Sequence, residues 1–421
     1  MVRQWNFAGE RQLLQGNMQF RRLFYAALIS GMGDWINSVA VLVLVLELTH
    51  SPTAVGITLA MRVLPHLFMG PLGGVWTDRI RRTWMMIGSD LMRFVIALGF
   101  LLIQDVSQMW GVYALTAFLV VFSALFVPAR TAYVTSIVRT EEIGRANALL
   151  EVTNGLVMVM GFALGGLIVA NLGVSAAFVL NALSFLASAC FLLKPAIQEP
   201  PSVQMNVTVP TFREDFLLGL ESMRSNKIVL TLLLLMLGWA VGGGAFNVLL
   251  SVMATDVYQS DSFGLGMLYA SIGGGTVAGS ILIAKHSDLS LRKIKVLAGC
   301  SFVADSLLHI LFANTDSFLW GCLTLLGVGM AGALGNTAIV TLIAKTTPED
   351  LQGRVFSITN SLSSSVLALS MVAAGLLVPV IGPRLSGTLG GGLIFLFSLS
   401  YSALILAESR KDVIRRDTHA A

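Results

Sequence analysis

Charge is scarce in this chain. Asp, Glu, Lys and Arg make up only 12% of its 421 residues, while 55% are hydrophobic and the mean hydropathy is +0.80. A soluble domain carries roughly 25% charged residues, so an ordinary soluble globule is excluded. Cysteine is also rare. Cys190, Cys300 and Cys322 each fall inside an apolar run, which predicts buried thiols rather than a disulfide framework. The five histidines, His50, His66, His286, His309 and His419, are dispersed. No metal-ligand or nucleophile spacing stands out, so no catalytic residue, metal or cofactor is expected and a membrane enzyme is disfavoured. Up to Gln19 there is no short apolar core followed by a small-residue cleavage site. That predicts an N-terminus that is not a signal peptide and stays in the cytoplasm. The net charge of +4 comes from arginines and lysines in loops and gives no support to nucleic-acid binding.

Long apolar stretches take the place of charge. A membrane span needs about 20 apolar residues to cross roughly 30 Å of hydrocarbon. Runs bounded by charge or turn residues give twelve candidates: 20–48, 52–76, 83–103, 108–133, 147–170, 174–193, 227–254, 263–284, 294–313, 317–344, 355–380 and 386–407. A β-barrel would show short alternating strands instead. The fold class expected is an all-α membrane protein with twelve transmembrane helices in two six-helix halves.

Basic residues orient the spans. Of 27 lysines and arginines, 23 fall on the side shared by both termini, Arg384 lies on the other side, and Arg62, Arg93 and Arg130 lie within runs. This bias predicts cytoplasmic termini and an even number of spans. The chain also repeats itself at an offset of 209 residues: Thr140 to Arg145 lines up with Glu349 to Arg354, Gly173 with Gly382, and Asn17 with Asn226. Each half therefore holds six helices in the same orientation. The expected division is residues 1–193, a linker at 194–225, and residues 226–421. In the linker, Pro195, Pro200, Pro201 and Pro210 favour extended chain, and Phe212, Phe216, Leu217 and Leu220 beside acidic and basic residues suggest an amphipathic helix on the membrane surface. The tail with Arg410, Lys411, Arg415 and Arg416 reads as a basic anchor.

Three candidates for chemistry follow from the rule that ionisable groups inside a bilayer are costly. Asp34 lies roughly 18 Å along a helix from Arg22, and Arg62 roughly 15 Å along the neighbouring antiparallel helix from Pro52, which puts both near the midplane. An interaction between Asp34 and Arg62, direct or through water and weakened by protonation of Asp34, is expected; a permanent ion pair is the alternative. Glu151 shares a helix face with Asn147 and Asn154. It reads as a second protonation or substrate site, or as a solvated acid at a helix entrance. Asp305 with His309, and Asp90 with Arg93, read as pairs within their own helices.

The run Gly70-Pro71-Leu72-Gly73-Gly74-Val75-Trp76-Thr77-Asp78-Arg79-Ile80-Arg81-Arg82 carries an apolar, glycine-rich helix end into an acid and three arginines. This pattern resembles the loop between helices 2 and 3 of the major facilitator superfamily. The resemblance implies a conformational latch at Gly74, Asp78, Arg79 and Arg82, with Asp90 and Arg93 supporting it; positive-inside anchoring is the alternative for the arginines. Gly161-Phe162-Ala163-Leu164-Gly165-Gly166 resembles the glycine-rich signature of facilitator antiporters, with phenylalanine where that signature has proline. Gly33-Asp34-Trp35, Arg62 with Pro65, Phe126 to Arg130, and Arg145 to Leu149 are similar to the branch holding macrolide-efflux proteins and the enterobactin exporter.

What the resemblance implies is a secondary active transporter of a bacterial inner membrane, a monomer, exporting small amphiphilic drugs or metabolites against protons by alternating access. By family analogy the cavity lies between the halves, lined from helices 1, 4, 7 and 10. Asp34, Asn37, Tyr113, Phe118, Phe122, Trp239, Asn247 and Asn336 are then its lining residues. A lysophospholipid or siderophore carrier is the nearest alternative, and a nontransporting membrane receptor the one from another class.

Overall fold

Hydrocarbon offers no water to backbone N–H and C=O groups, so a chain crossing it must satisfy them internally, as helices do. The computed structural model describes residues 8–193, 221, 226–285 and 289–420, leaving aside the side chains of 8–10, 70–79, 350 and 406–420. Among the described residues the chain runs through α1 (Ala8–Gly16), α2 (Met18–Thr49), α3 (Pro52–Arg79), α4 (Arg82–Gly99), α5 (Met109–Ile137), α6 (Ile143–Leu192), α7 (Lys227–Val252), α8 (Ser262–Ala284), α9 (Leu291–Asn314), α10 (Phe318–Thr346), α11 (Glu349–Ile381) and α12 (Pro383–Ala420). No strand occurs among them. The helix α1 was not expected; its Leu13 is buried with Phe20 and Leu23 of α2.

Eleven helical stretches among the described residues are long and apolar enough to span a bilayer, and one of them, Thr140–Leu192, is 53 residues long. At 1.5 Å per residue that is far more than one crossing needs. The stretch is broken at Gly173, whose φ of 79° and ψ of 169° turn the chain out of the helix. A side chain would strain that conformation. Two spans therefore occupy α6, at the place where hydropathy divides 147–170 from 174–193, and twelve crossings result among the described residues. The helix α12 runs past the expected end at 407, because Glu408 to Arg416 is rich in helix-forming charged residues. The expected amphipathic helix of the linker and the basic tail side chains lie outside the described residues.

The 209-residue offset is written into the backbone. Asn17 accepts a hydrogen bond from the N–H of Phe20 and, through Nδ2, donates to the Ile137 carbonyl at 2.6 Å. Asn226 accepts from Ile228 and Val229 and donates to the Thr346 carbonyl at 2.8 Å. Each asparagine caps a helix and ties it to the end of another, three helices on. Gly382, with φ 80° and ψ 160°, repeats the turn at Gly173. Packing repeats too. α2 lies on α6, α3 on α5, and α4 on both α5 and α6; α7 lies on α11 and α12, and α9 on α10 and α12. Buried clusters match position for position: Leu23, Met85, Ala129, Val134 and Leu192 in one, Leu232, Ile294, Ala338, Ile343 and Tyr401 in the other.

By its internal contacts the chain divides into two compact units, Met1–Val207 with Ala254–Gly273, and Thr208–Met253 with Gly274–Ala421. Ala254–Gly273 belongs with the first unit, where Tyr269 stacks on Phe162 with ring centroids 4.6 Å apart. Leu183, Leu307, Leu326 and Leu396 face outward, a placement that water penalises and lipid does not. The cysteines correct an expectation. All three are free, but Cys190 and Cys300 are exposed and Cys322 is partly so. Where lipid is as apolar as the interior, nothing drives a thiol inward.

Candidate functional site

The site is built on the first unit around an arginine. Arg93 of α4 is 3% exposed, and its guanidinium donates to the carboxylate of Asp90, one turn earlier and fully buried. The other oxygen of Asp90 accepts from the Ser188 hydroxyl of α6 at 2.7 Å. Arg93 Nη1 also stands 3.5 Å from the carboxylate of Asp34 on α2 and 3.4 Å from Ser123 Oγ on α5. The rings of Phe126 and Phe185 cover the guanidinium at 4.8 and 4.4 Å, an arrangement favourable to a desolvated cation. One cation thus joins four helices and serves two carboxylates.

Of those carboxylates only Asp34 is reachable, at 33% exposure against 0% for Asp90. Asp34 opens onto a cavity of about 190 Å³ whose wall includes Asn37, Ser38, Arg62, His66 and Thr116. Arg62, from α3, donates to the Ser38 hydroxyl, which itself donates to the Asp34 backbone carbonyl at 2.7 Å. Two cavity atoms are buried with no hydrogen-bond partner among the described residues, Asn37 Oδ1 and Thr116 Oγ1. Such atoms are costly unless water or a ligand meets them. Asp34 and Arg62, expected at one depth from the rise of their helices, share one cavity. Asp34 and Arg62 attract each other across it, while the direct contact of Asp34 is with Arg93 at 3.5 Å and the hydrogen bond of Arg62 goes to Ser38. Nothing in the spacing along α4 told that Arg93 faces α2 rather than only Asp90, and a count of arginines inside apolar runs was the single available signal.

Other expected residues lie elsewhere. Arg82 donates to the Ala132 carbonyl at 2.8 Å, tying the start of α4 to α5. Gly74, Asp78 and Arg79 lie outside the residues whose side chains are described. Glu151 is exposed and is the opposite charge acting on Arg130 of α5. Tyr113 packs edge-on to Trp110 at 5.9 Å, Phe118 is 56% exposed, and Phe122 packs on the buried cluster that holds Leu23 and Met86. In the second unit, Asn247 donates to the Gly243 carbonyl of its own helix at 2.8 Å, and Asn336 is exposed. Trp239 donates its indole N–H to Asp305 Oδ2 at 3.1 Å. Asp305 and His309 are each 2% exposed, with His309 Nδ1 2.7 Å from the Asp305 carbonyl oxygen and its ring 3.9 Å from that of Phe246. Among the described residues no three His, Cys, Asp or Glu side chains gather to hold a metal.

Twelve apolar crossings duplicated at a fixed offset, with a buried ionic hub beside a polar cavity, describe a membrane transporter of the facilitator type. The chain belongs to the Major Facilitator Superfamily, whose family model matches residues 23–371. Its relatives include the uncharacterized MFS-type transporter YfiS of Bacillus subtilis, 25% identical over 98% of this chain and 99% of that protein. The enterobactin exporter EntS of Shigella boydii is 27% identical over 95% of this chain and 94% of its own. Among solved structures, a bacterial homologue of the human lysosomal transporter Spinster, inward-facing and unoccupied, superposes with a TM-score of 0.69 at 13% identity, covering 93% of this chain and 96% of that one. A POT family transporter in complex with 5-aminolevulinic acid gives 0.69 at 14% identity, covering 94% and 96%. At that identity the two structures speak for the fold alone.

Proposed function

We propose that the protein is a secondary active exporter of small amphiphilic compounds, driven by proton antiport and working by alternating access in a bacterial inner membrane. The observation that carries the reading is the partly exposed carboxylate of Asp34 on a polar cavity, held 3.5 Å from a cation that Asp90 already shares. A carboxylate so placed exchanges a proton with the cavity while its buried neighbour does not. Protonation weakens the Asp34–Arg93 attraction and so biases one conformation over another by its differential affinity. Both termini are placed in the cytoplasm, as the basic residues argue, and Arg384, the exception, pairs with Asp316. Residues 1–193 and 226–421 act as the two functional halves of a monomer, with Gly74, Asp78 and Arg79 as their latch and Glu151 with Arg130 as a second ionic pair.

The test is efflux of an amphiphile panel from proteoliposomes, with and without an imposed pH gradient. Wild type is expected to export faster with the gradient, and Asp34→Asn to lose that acceleration. Equal gradient dependence in the variant overturns the coupling role. The likeness to the enterobactin exporter favours a siderophore as the second reading of the cargo. Competition of a siderophore, and of no other amphiphile, with the transported probe would select it.

A further inference from the structure

We propose that the cavity in the first unit is a two-ended subsite for a zwitterionic head group, with an ammonium at Asp34 and Asn37 and a carboxylate or other oxyanion at Arg62. The inference deepens the exporter reading and rests on it for the direction of transport.

Two opposite charges attract each other along one wall without a direct ion-pair contact. Asp34 and Arg62 both line the cavity. The ion pair of Asp34 is with Arg93, and no carboxylate among the described residues stands within ion-pair distance of Arg62, whose side-chain hydrogen bond goes to the Ser38 hydroxyl. An arginine on a cavity wall whose direct hydrogen bond is to a neutral hydroxyl retains donors for a planar oxyanion. At the other end, Asn37 sits three residues after Asp34 on α2, on the same helix face. Its Oδ1 is buried and meets no donor among the described residues. A carboxylate and an unmet amide oxygen side by side are acceptors only, which is what an ammonium with its three protons requires. The unmet Thr116 hydroxyl, from α5, completes a polar wall.

The charges also make the coupling coherent. An ammonium at Asp34 and a proton on Asp34 compete, so cargo entry releases the proton as antiport demands. A purely anionic cargo would instead favour protonation of Asp34 and travel with the proton.

Three ligands with one apolar body separate the possibilities: leucyl-phenylalanine, its N-acetyl derivative and its C-terminal amide. Binding is measured calorimetrically on the purified full-length protein. The dipeptide is expected to bind about tenfold to a hundredfold more tightly than either derivative, the range set by one charge-assisted contact. Arg62→Gln should erase its advantage over the amide and spare its advantage over the N-acetyl form; Asp34→Asn should do the reverse; Arg62→Lys should restore part of the first. Equal binding of the three by the unaltered protein, binding of none, or discrimination that survives Arg62→Gln in a protein of unchanged melting temperature overturns the proposal. The ligand comparison on the unaltered protein stands even if a variant fails to fold. The same dipeptide loaded into proteoliposomes keeps the two readings apart. Charge-selective binding without gradient-driven export sinks antiport and leaves the subsite, whereas gradient-driven export of other amphiphiles without charge selectivity does the opposite.

Discussion

The two halves of the chain share a scaffold and differ in chemistry. At the 209-residue offset, Asp34, Asp90 and Arg93 of the first half correspond to Gly243, Gly299 and Phe302 of the second. The asparagine caps, the glycine turns and the buried clusters survive this exchange. The fold therefore does not need the ionic hub, since a copy of it stands without one. A buried ion pair contributes little beyond what apolar packing of the same volume would, and the second half has taken the apolar solution at Phe302. What the second half holds instead, Asp305 with Trp239 and His309, sits one turn further along α9 and is joined by an indole and an imidazole rather than by arginine. Charge retained where structure can do without it points to use.

The comparison can be broken first at Arg93. Arg93→Leu leaves Asp34 and Asp90 without their cation and should destabilise by about 3–5 kcal/mol, read as a large drop in melting temperature in detergent. Phe302→Leu, at the matching position, should cost on the order of 1 kcal/mol. A loss at Arg93 no larger than at Phe302 would mean that Asp34 and Asp90 do not depend on Arg93 as their cation. A second contrast lies at Gly33 and Gly242, also 209 apart. A Cβ at Gly242 would stand 2.3 Å from the backbone oxygen of Gly390, whereas at Gly33 the obstacles are the side chains of Ser184 and Asn181. Overpacking costs about 1–3 kcal/mol, and Gly242→Ala should fall at the upper end because a backbone cannot rotate away. The reverse order in thermal melts would show that α7 and α12 can separate more easily than α2 and α6.

The caps sharpen the likeness rather than the difference. Asn17→Ala and Asn226→Ala each remove an N-cap and a tie to a carbonyl, so each should cost about 1–2 kcal/mol. Equal shifts are expected in the two, and a twofold inequality would end the claim of equivalent roles. The smallest effect belongs to Arg139→Ala. Arg139 contacts Glu142 at 2.7 Å but is 78% exposed, and surface pairs of this sort contribute little. No measurable change in melting temperature is expected; a clear drop would mean that this loop pair carries load the second half lacks.

Hydropathy alone determined the all-helical membrane class and twelve crossings, because each span needs only its own residues to satisfy its backbone. The duplication was legible for a related reason: Asn17 and Asn226, or Gly173 and Gly382, act within a turn of chain, so a linear offset finds them. The depth of Asp34 and Arg62 followed from the rise of a helix. Which groups meet did not. Asp34 and Arg93 are brought to 3.5 Å by the rotation of α2 and α4 about their own axes, and that rotation is decided by the packing of α2 on α6 and of α4 on α5 and α6. The outward cysteines belong to the same class of facts, since lipid and protein interior are alike in polarity and no residue pattern tells one face from the other. A helix announces in its sequence how far it reaches, while its azimuth is chosen only by its neighbours.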